Sequence, residues 1–206
     1  FDEKTQTVWV AGVVGVDVLD GETGALIQHI DVTQYGFVNS VAIHNGIAAM
    51  AIESSLDRRE PGKIVLFDTL TRSPLAGSGL KSTNIISVGS LPDMVTFTPD
   101  GRRLLVANEG TPNSKADDPY DLTKDPVGSV SVIDVPRRKV IATPTFDKVP
   151  FFNSPRTSAG MDFEPEYIAV NPQGTRAYVT LQEANAMAVL DLRSNKFKSV
   201  IGLGLK

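Results

Sequence analysis

The sequence predicts an all-β protein of the β-propeller type, and two observations carry that prediction. An alternating apolar strand that ends in aspartate occurs four times, and a polar turn follows each copy. A pair of strands joined by a turn with glycine precedes three of these copies. Units of about 40–50 residues with four antiparallel strands are typical of propeller blades. The rival fold, a sandwich of short strands, would not require the same unit to recur in the same order.

The aspartate-ended strand is the third of each unit and is called strand c. Its carboxylate can accept backbone N–H groups from the turn that follows, which explains its recurrence without catalysis. The four copies cover residues 16–20, 64–68, 130–134 and 187–191, and they end at Asp20, Asp68, Asp134 and Asp191.

Strands a and b of the unit lie upstream of strand c. Strand a is predicted at 41–44, 95–98 and 168–171, and strand b at 47–52, 103–107 and 176–181. The first unit begins within its strand b, at residues 7–11. No long stretch combines a 3.6-residue period with helix caps, so helices are not expected.

The repeats predict one partial propeller domain over residues 1–206, with blade units at about 1–35, 36–90, 91–150 and 162–206. Propellers close with about 4–8 blades. We therefore expect an arc of three to four four-stranded blades. An isolated arc would leave sheet faces and edges exposed, so we also expect a partner that covers them. The expected partner is the remainder of its own propeller or a second chain segment.

Composition excludes several classes of function. The chain is 41% hydrophobic and 21% charged with a net charge of −4, as in folded globular proteins. Its basic groups are short, such as Arg58-Arg59 and 137–139, and fall in predicted turns, so no nucleic-acid partner is expected. No apolar run reaches the ~18–20 residues of a transmembrane segment. The absence of cysteine excludes disulfides and thiolate chemistry.

Enzyme signatures are also sparse. The two histidines, His29 and His44, fall in different units and are interpreted as surface residues, so a zinc site is not expected. No P-loop, dinucleotide fingerprint or nucleophile elbow follows a strand, and therefore no nucleotide or redox cofactor is expected. Catalytic residues remain unknown at this stage.

Aligning the units gathers acidic and amide side chains on one face, around the central channel. Oxygen ligands of this kind suit Ca²⁺ or Mg²⁺, so we expect a metal site here, with Ca²⁺ as the candidate cofactor. The first group, just before strand a, contains Asn39, Asp93, Asp162, Glu164 and Glu166; the second, near the end of strand b, contains Glu53, Glu109 and Glu183.

Two alternatives to this metal site stay open. The repeated carboxylates are also explained if they cap turns or pair with arginines of neighbouring blades, such as Arg103, Arg156 or Arg176. A second cation candidate is the long loop at 110–127, which is interpreted as a solvated loop. Its acidic residues, whose spacing does not match a calcium loop, are Asp117, Asp118, Asp121 and Asp125.

Several segments carry a family resemblance. TPDGRRLLVAN at 98–108 and NPQGTRAYVT at 171–180 resemble the YVTN-type propeller repeats of bacterial surface proteins. DFEPEYIAV at 162–170, LQEANA at 181–186 and NEG at 108–110 resemble the choice-of-anchor I domain family. That family is similar to mesenchyme-specific cell-surface glycoproteins and to secreted proteins described as atypical alkaline phosphatases. The loop after NEG departs from the family by opening with TPN rather than acidic residues.

The resemblance implies a bacterial extracellular or cell-surface protein, with the periplasm as an alternative compartment. The sequence favours a binding or scaffolding module, with Ca²⁺ as its candidate ligand, over an enzyme. Two catalytic alternatives remain: a metal-dependent, alkaline phosphatase-like phosphoester hydrolase, and a Ca²⁺-dependent lactonase-like propeller enzyme. Neither has a motif that can be matched residue by residue.

Overall fold

The computed structural model describes residues 1–76, 84–110, 126–147, 149, 151–152 and 163–204. Every regular element in these ranges is a β-strand, which confirms the all-β prediction. The strands form four sheets within the described residues, of three to five strands each.

The sheets follow one another along the chain. Sheet 1 contains β1 (Thr7–Gly12), β2 (Gly15–Asp20) and β3 (Leu26–Asp31). Sheet 2 contains β4 (Phe37–His44), β5 (Ile47–Glu53), β6 (Pro61–Asp68), β7 (Ser73–Pro74) and β8 (Ile85–Ser90). Sheet 3 contains β9 (Pro92–Phe97), β10 (Arg103–Asn108), β11 (Ser129–Asp134) and β12 (Lys139–Ala142). Sheet 4 contains β13 (Phe151–Phe152), β14 (Pro165–Val170), β15 (Arg176–Leu181), β16 (Ala186–Asp191) and β17 (Lys196–Gly202).

Strand order within each sheet is that of a propeller blade. In sheet 3 the order is β9-β10-β11-β12, and each strand pairs antiparallel with its neighbour in sequence. Sheet 4 adds β13 parallel to β17. One edge strand from each of sheets 2, 3 and 4 lies beside the next, because β4 contacts β9 and β9 contacts β14. These three strands, β4, β9 and β14, are the inner strands.

Three apolar clusters lie at the junctions between consecutive sheets. Trp9 and Met50 are buried between sheets 1 and 2, and Leu66 and Leu104 between sheets 2 and 3. Burying a large apolar side chain stabilises a fold by about 1.5–3 kcal/mol, so these junctions hold the sheets together. Sequential junctions of this kind confirm the propeller-like fold.

The junction of sheets 3 and 4 is filled by aromatic rings. The Phe146 ring stacks on Phe197 with centroids 4.2 Å apart and meets the edge of Phe163 at 5.4 Å. Offset and edge-to-face pairs of this kind are favoured for aromatic rings. These three rings pack between sheets 3 and 4, as Trp9 packs between sheets 1 and 2.

The strand-c aspartates cap their turns, as the sequence predicts. The backbone N–H three residues later donates to Oδ1 in every unit, at 2.7 Å in the first two, 2.9 Å in the third and 2.8 Å in the fourth. These bonds hold the pKa of Asp20, Asp68 and Asp191 below the ordinary aspartate value, because they stabilise the ionised carboxylate. The residue directly after this donor has a positive φ in each turn: Gly24, Arg72, Arg138 and Asn195.

Candidate functional site

Each inner strand carries a β-bulge near its start, and the bulge contains a residue of the first predicted group. In β4 the pairing with β5 shifts between Val38 and Ser40, which leaves Asn39 as the extra residue. The equivalent shifts leave Asp93 extra in β9 and place Glu166 in the bulge of β14. A bulge re-aims the side chain it carries, and bulges are common beside functional sites.

These three residues lie inside the inner strands, whereas the sequence predicts them just before the strands. The inner strands begin at Phe37, Pro92 and Pro165, earlier than the alternating apolar pattern indicates. The bulge is the physical reason, because an extra residue interrupts the alternation while the strand pairing continues on both sides of it.

The second predicted group lies where the b strands end. Glu53 is the last residue of β5, and Glu109 directly follows β10. In sheet 4 the register gives this position to Gln182, and Glu183 lies one residue farther on. Glu183 nevertheless reaches the inner-strand bulge of its own sheet, because its carboxyl interacts with that of Glu166.

Four carboxyl groups meet at the junction of sheets 3 and 4; we call them the acidic cluster: Asp93, Glu109, Glu166 and Glu183. Burial and the carboxyl of Glu183, then the charges of Glu109 and Asp93, raise the pKa of Glu166 to about 7. Burial also raises the pKa of Asp93. Burial and the charges of the neighbouring carboxyls thus both disfavour the ionised form of Glu166.

The junction of sheets 2 and 3 is built differently at the same position. The amide Nδ2 of Asn39 donates to the carbonyl oxygen of Pro92 at 3.1 Å. By register, Asp93 and Pro165 occupy the corresponding places at the junction of sheets 3 and 4. An ionised aspartate cannot donate a hydrogen bond, so this junction has two oxygen acceptors where the preceding one has a donor and an acceptor.

Three predicted ligands do not belong to the acidic cluster: Glu53, Glu164 and Asp162. The Glu53 side chain is 16% exposed, and its Oε2 lies 3.8 Å from Nη2 of Arg58, so a cation already accompanies it. Glu164 is half-buried directly before β14. Asp162 and the four aspartates of the loop after Gly110 lie outside the described residues.

Of the arginines that the sequence offers as partners, Arg103 and Arg176 do not pair with the acidic cluster within the described residues. The guanidinium of Arg103 donates to the carbonyl of Leu192 and to Asn195, at the far end of the strands. Arg176 makes no side-chain bond to any part of the chain that the structure describes, and Arg156 lies outside that part. In the same described ranges no three histidine, aspartate or glutamate side chains are already arranged around a point that could hold a metal ion. Binding a cation would therefore require these carboxylates to turn toward a common point.

Sequence patterns assign no structural role to two residues beside Glu109 and β11, namely Asn108 and Gly128. Asn108 is fully buried, and its Nδ2 donates to Oγ of Ser129 and of Ser131 at 3.1 and 3.0 Å. A Cβ on Gly128 would collide with the carbonyl oxygen of Phe163, so this loop approaches sheet 4 as closely as a glycine allows. The available signal for Asn108 is a single polar residue at the end of an otherwise apolar strand.

The histidines lie apart from the acidic cluster. Nδ1 of His29 is 2.6 Å from Oδ1 of Asp17, on an exposed face of sheet 1. His44 ends β4 and packs against Phe97, with ring centroids 5.5 Å apart. Both placements agree with a structural role for the two histidines.

Comparison with known proteins places the fold in a family. The sequence profile of the choice-of-anchor I domain matches residues 1–206. No curated protein matches the sequence. Among solved structures 652 chains match, including hydrazine synthase of Kuenenia stuttgartiensis, with a TM-score of 0.68 and 16% identity. That match covers 93% of this chain and 51% of the other, so the chain spans about half the length of its structural relative. At this identity the likeness concerns the fold alone.

Proposed function

The chain belongs to the choice-of-anchor I domain family, and from that membership we propose that it is a binding module of a secreted or cell-surface protein. We propose further that its acidic cluster holds Ca²⁺. The family supports a surface or secreted location. No helix in the described ranges is long and apolar enough to span a bilayer.

The observation that carries the cation is the pKa of Glu166, which burial and the surrounding carboxyls raise to about 7. Crowded carboxylates repel one another, and a divalent cation relieves that repulsion while using their oxygens as ligands. Calcium accepts six to eight oxygen ligands in flexible geometries, which suits side chains that come from two strand bulges and from the segments after two other strands.

The comparison of the two junctions supports the same ligand. At the junction of sheets 2 and 3, the Asn39 amide satisfies the Pro92 carbonyl. At the next junction, the equivalent pair is the Asp93 carboxylate and the Pro165 carbonyl, both of which are oxygen ligands for a hard cation. We assign the ligand set to Asp93, Glu109, Glu166 and Glu183, with Glu164 and Asp162 as adjacent oxygen donors. Glu53 is the outermost candidate, since Arg58 accompanies it.

Calcium titration by isothermal calorimetry tests the proposal on protein freed of metal by a chelator. We expect binding by the wild-type protein and an affinity at least about tenfold lower for Glu166→Gln, since a charged ligand is lost. Glu22→Gln is the matched control, because Glu22 lies exposed in the turn after β2, at the opposite ends of the strands. Equal affinities for the wild-type protein and Glu166→Gln would refute the assignment.

The two hydrolytic alternatives need the same acidic cluster and add turnover to it. Incubation with p-nitrophenyl phosphate and with a simple lactone, with and without chelator, separates them from a binding module. Turnover of either substrate that the chelator abolishes and Glu166→Gln lowers would replace the binding role by catalysis. Calcium binding without turnover is the result expected here.

A further inference from the structure

Arg103 latches sheet 3 onto a turn of sheet 4. It is the first residue of β10, and its Nη1 donates to the carbonyl oxygen of Leu192 and, at 3.3 Å, to Oδ1 of Asn195. Both acceptors lie in the turn between β16 and β17. Hydrogen bonds from a charged donor are stronger than neutral ones, so this contact helps to fix how the two sheets pack.

Arg176 is the same residue of the next repeat. Arg103 pairs in register with Asp134, and Arg176 pairs with Asp191, the equivalent strand-c aspartate. Both arginines begin the b strand of their sheet. Unlike Arg103, Arg176 has no side-chain partner among the residues that the structure describes.

Strand alternation determines on which face of sheet 4 the Arg176 side chain lies. Ala177 and Val179 belong to the apolar cluster between sheets 3 and 4, so Arg176 and Tyr178 lie on the opposite face of β15. In β10 the corresponding positions are Arg103 and Leu105, and they face sheet 4. Arg176 therefore faces away from sheet 3, toward the position that a following sheet would occupy.

A polar cavity of about 250 Å³ opens on this face around Arg176. On sheet 4 the cavity occupies the position that corresponds to the place where sheet 3 receives the turn of sheet 4. Its lining residues are Asn171, Thr175, Arg176, Tyr178, Asp191 and Arg193. Its basic side chains and its shape suit a tight turn that presents backbone carbonyl groups.

We propose that this face of sheet 4 docks a further repeat sheet of the same polypeptide. In this arrangement Arg176 donates to a backbone carbonyl in the turn between the third and fourth strands of that sheet, as Arg103 does to Leu192. The docked sheet also covers Tyr178, as sheet 4 covers Leu105. The contact extends the series of junctions that already joins sheets 1 to 4, and it does not depend on the cation.

Cysteine labelling tests the docking on the full-length native protein, because the 206 residues contain no cysteine of their own. We expect Tyr178→Cys to react with a maleimide at least about tenfold more slowly than Glu22→Cys, whose side chain is exposed, and both to react equally after denaturation. Arg176→Cys provides a second position on the same face if Tyr178→Cys folds poorly. Equal rates in the native protein would overturn the proposal, and so would protection that disappears on dilution, since that identifies a second copy as the occupant.

Thermal unfolding supplies an independent readout. Arg176→Ala is expected to lower the Tm of the full-length protein about as much as Arg103→Ala does, since both remove one charged donor from a sheet junction. Arg102→Ala is the matched control, because Arg102 is exposed beside Arg103 and its side chain makes no hydrogen bond within the described residues. A Tm for Arg176→Ala equal to that of Arg102→Ala and of the wild-type protein would also overturn the latch.

Discussion

The amide of Asn39 donates a hydrogen bond of 3.1 Å to the carbonyl of Pro92, and this bond joins the inner strands of sheets 2 and 3. One repeat later the equivalent residues are Asp93 and Pro165. Burial raises the pKa of the Asp93 carboxyl, which has no amide hydrogens to offer. The two junctions thus differ by one side-chain substitution that exchanges a donor for a charge.

Asp93→Asn should therefore stabilise the metal-free protein. The new amide can repeat the Asn39 bond and removes a partly buried charge, so we expect the free energy of unfolding at pH 7.5 to rise by about 1 kcal/mol. The same substitution should weaken calcium binding, because it removes a charged ligand. Urea unfolding in chelator and a calcium titration measure the two effects. A destabilised variant with unchanged calcium affinity would contradict both expectations.

Glu166 should make the metal-free fold less stable as the pH rises. Its folded pKa of about 7 lies above its ordinary value of 4.5, so the folded state binds more protons than the unfolded state between these values. Stability then falls with rising pH across this window, and the loss is complete above about pH 7. Measured by Tm in chelator, the advantage of Glu166→Gln over the wild-type protein should grow from pH 4.5 to pH 8.

Two further measurements accompany this pH series. Glu22→Gln, which changes a carboxylate outside the acidic cluster, should follow the wild-type protein at every pH. Saturating Ca²⁺ should flatten the wild-type curve, because the cation balances the ionised carboxylates. Parallel curves for the wild-type protein and Glu166→Gln in chelator would show that the pKa of Glu166 is not raised in solution.

The repeat made most of the fold predictable from the sequence. Strand c could be located because each copy ends at an aspartate that caps its turn, a local interaction visible in the sequence. The starts of the inner strands could not be located, because the bulges at Asn39 and Asp93 break the alternation that marks a strand. The role of Arg103 depends on packing between sheets, which local sequence does not encode.

The acidic cluster was only partly predictable for the same reason. Alignment of the units placed Asp93 and Glu166 at one position, and the structure brings them together. The alignment treated Glu53 and Glu183 as equivalent, whereas the register gives that position to Gln182. Nothing in the sequence indicated that Arg58 would accompany Glu53, since that contact depends on the fold of the loop after β5.

Gly24 should tolerate alanine poorly although nothing crowds it. Its φ is +71°, and an added Cβ would meet no atom within 4 Å, so a substitution there measures backbone strain alone. We expect Gly24→Ala to lower the free energy of unfolding by about 1 kcal/mol. Gly12→Ala is the control, because Gly12 has no positive φ and its added Cβ would make only an ordinary contact of 3.7 Å. Equal losses for the two variants would show that the turn does not hold its left-handed conformation.

Arg58 should weaken calcium binding through its charge rather than through contact with the ion. It lies 3.8 Å from Glu53, at the edge of the channel face that carries the acidic cluster. Arg58→Ala removes a positive charge near the proposed cation, and we expect the affinity for Ca²⁺ to rise about two- to fivefold at low salt. The gain should shrink in 0.5 M salt, because screening shortens the range of the charge. Arg193→Ala, at the far end of the strands, should leave the affinity unchanged at both salt concentrations. An affinity that Arg58→Ala lowers instead would mean that Arg58 holds Glu53 in position for the ion.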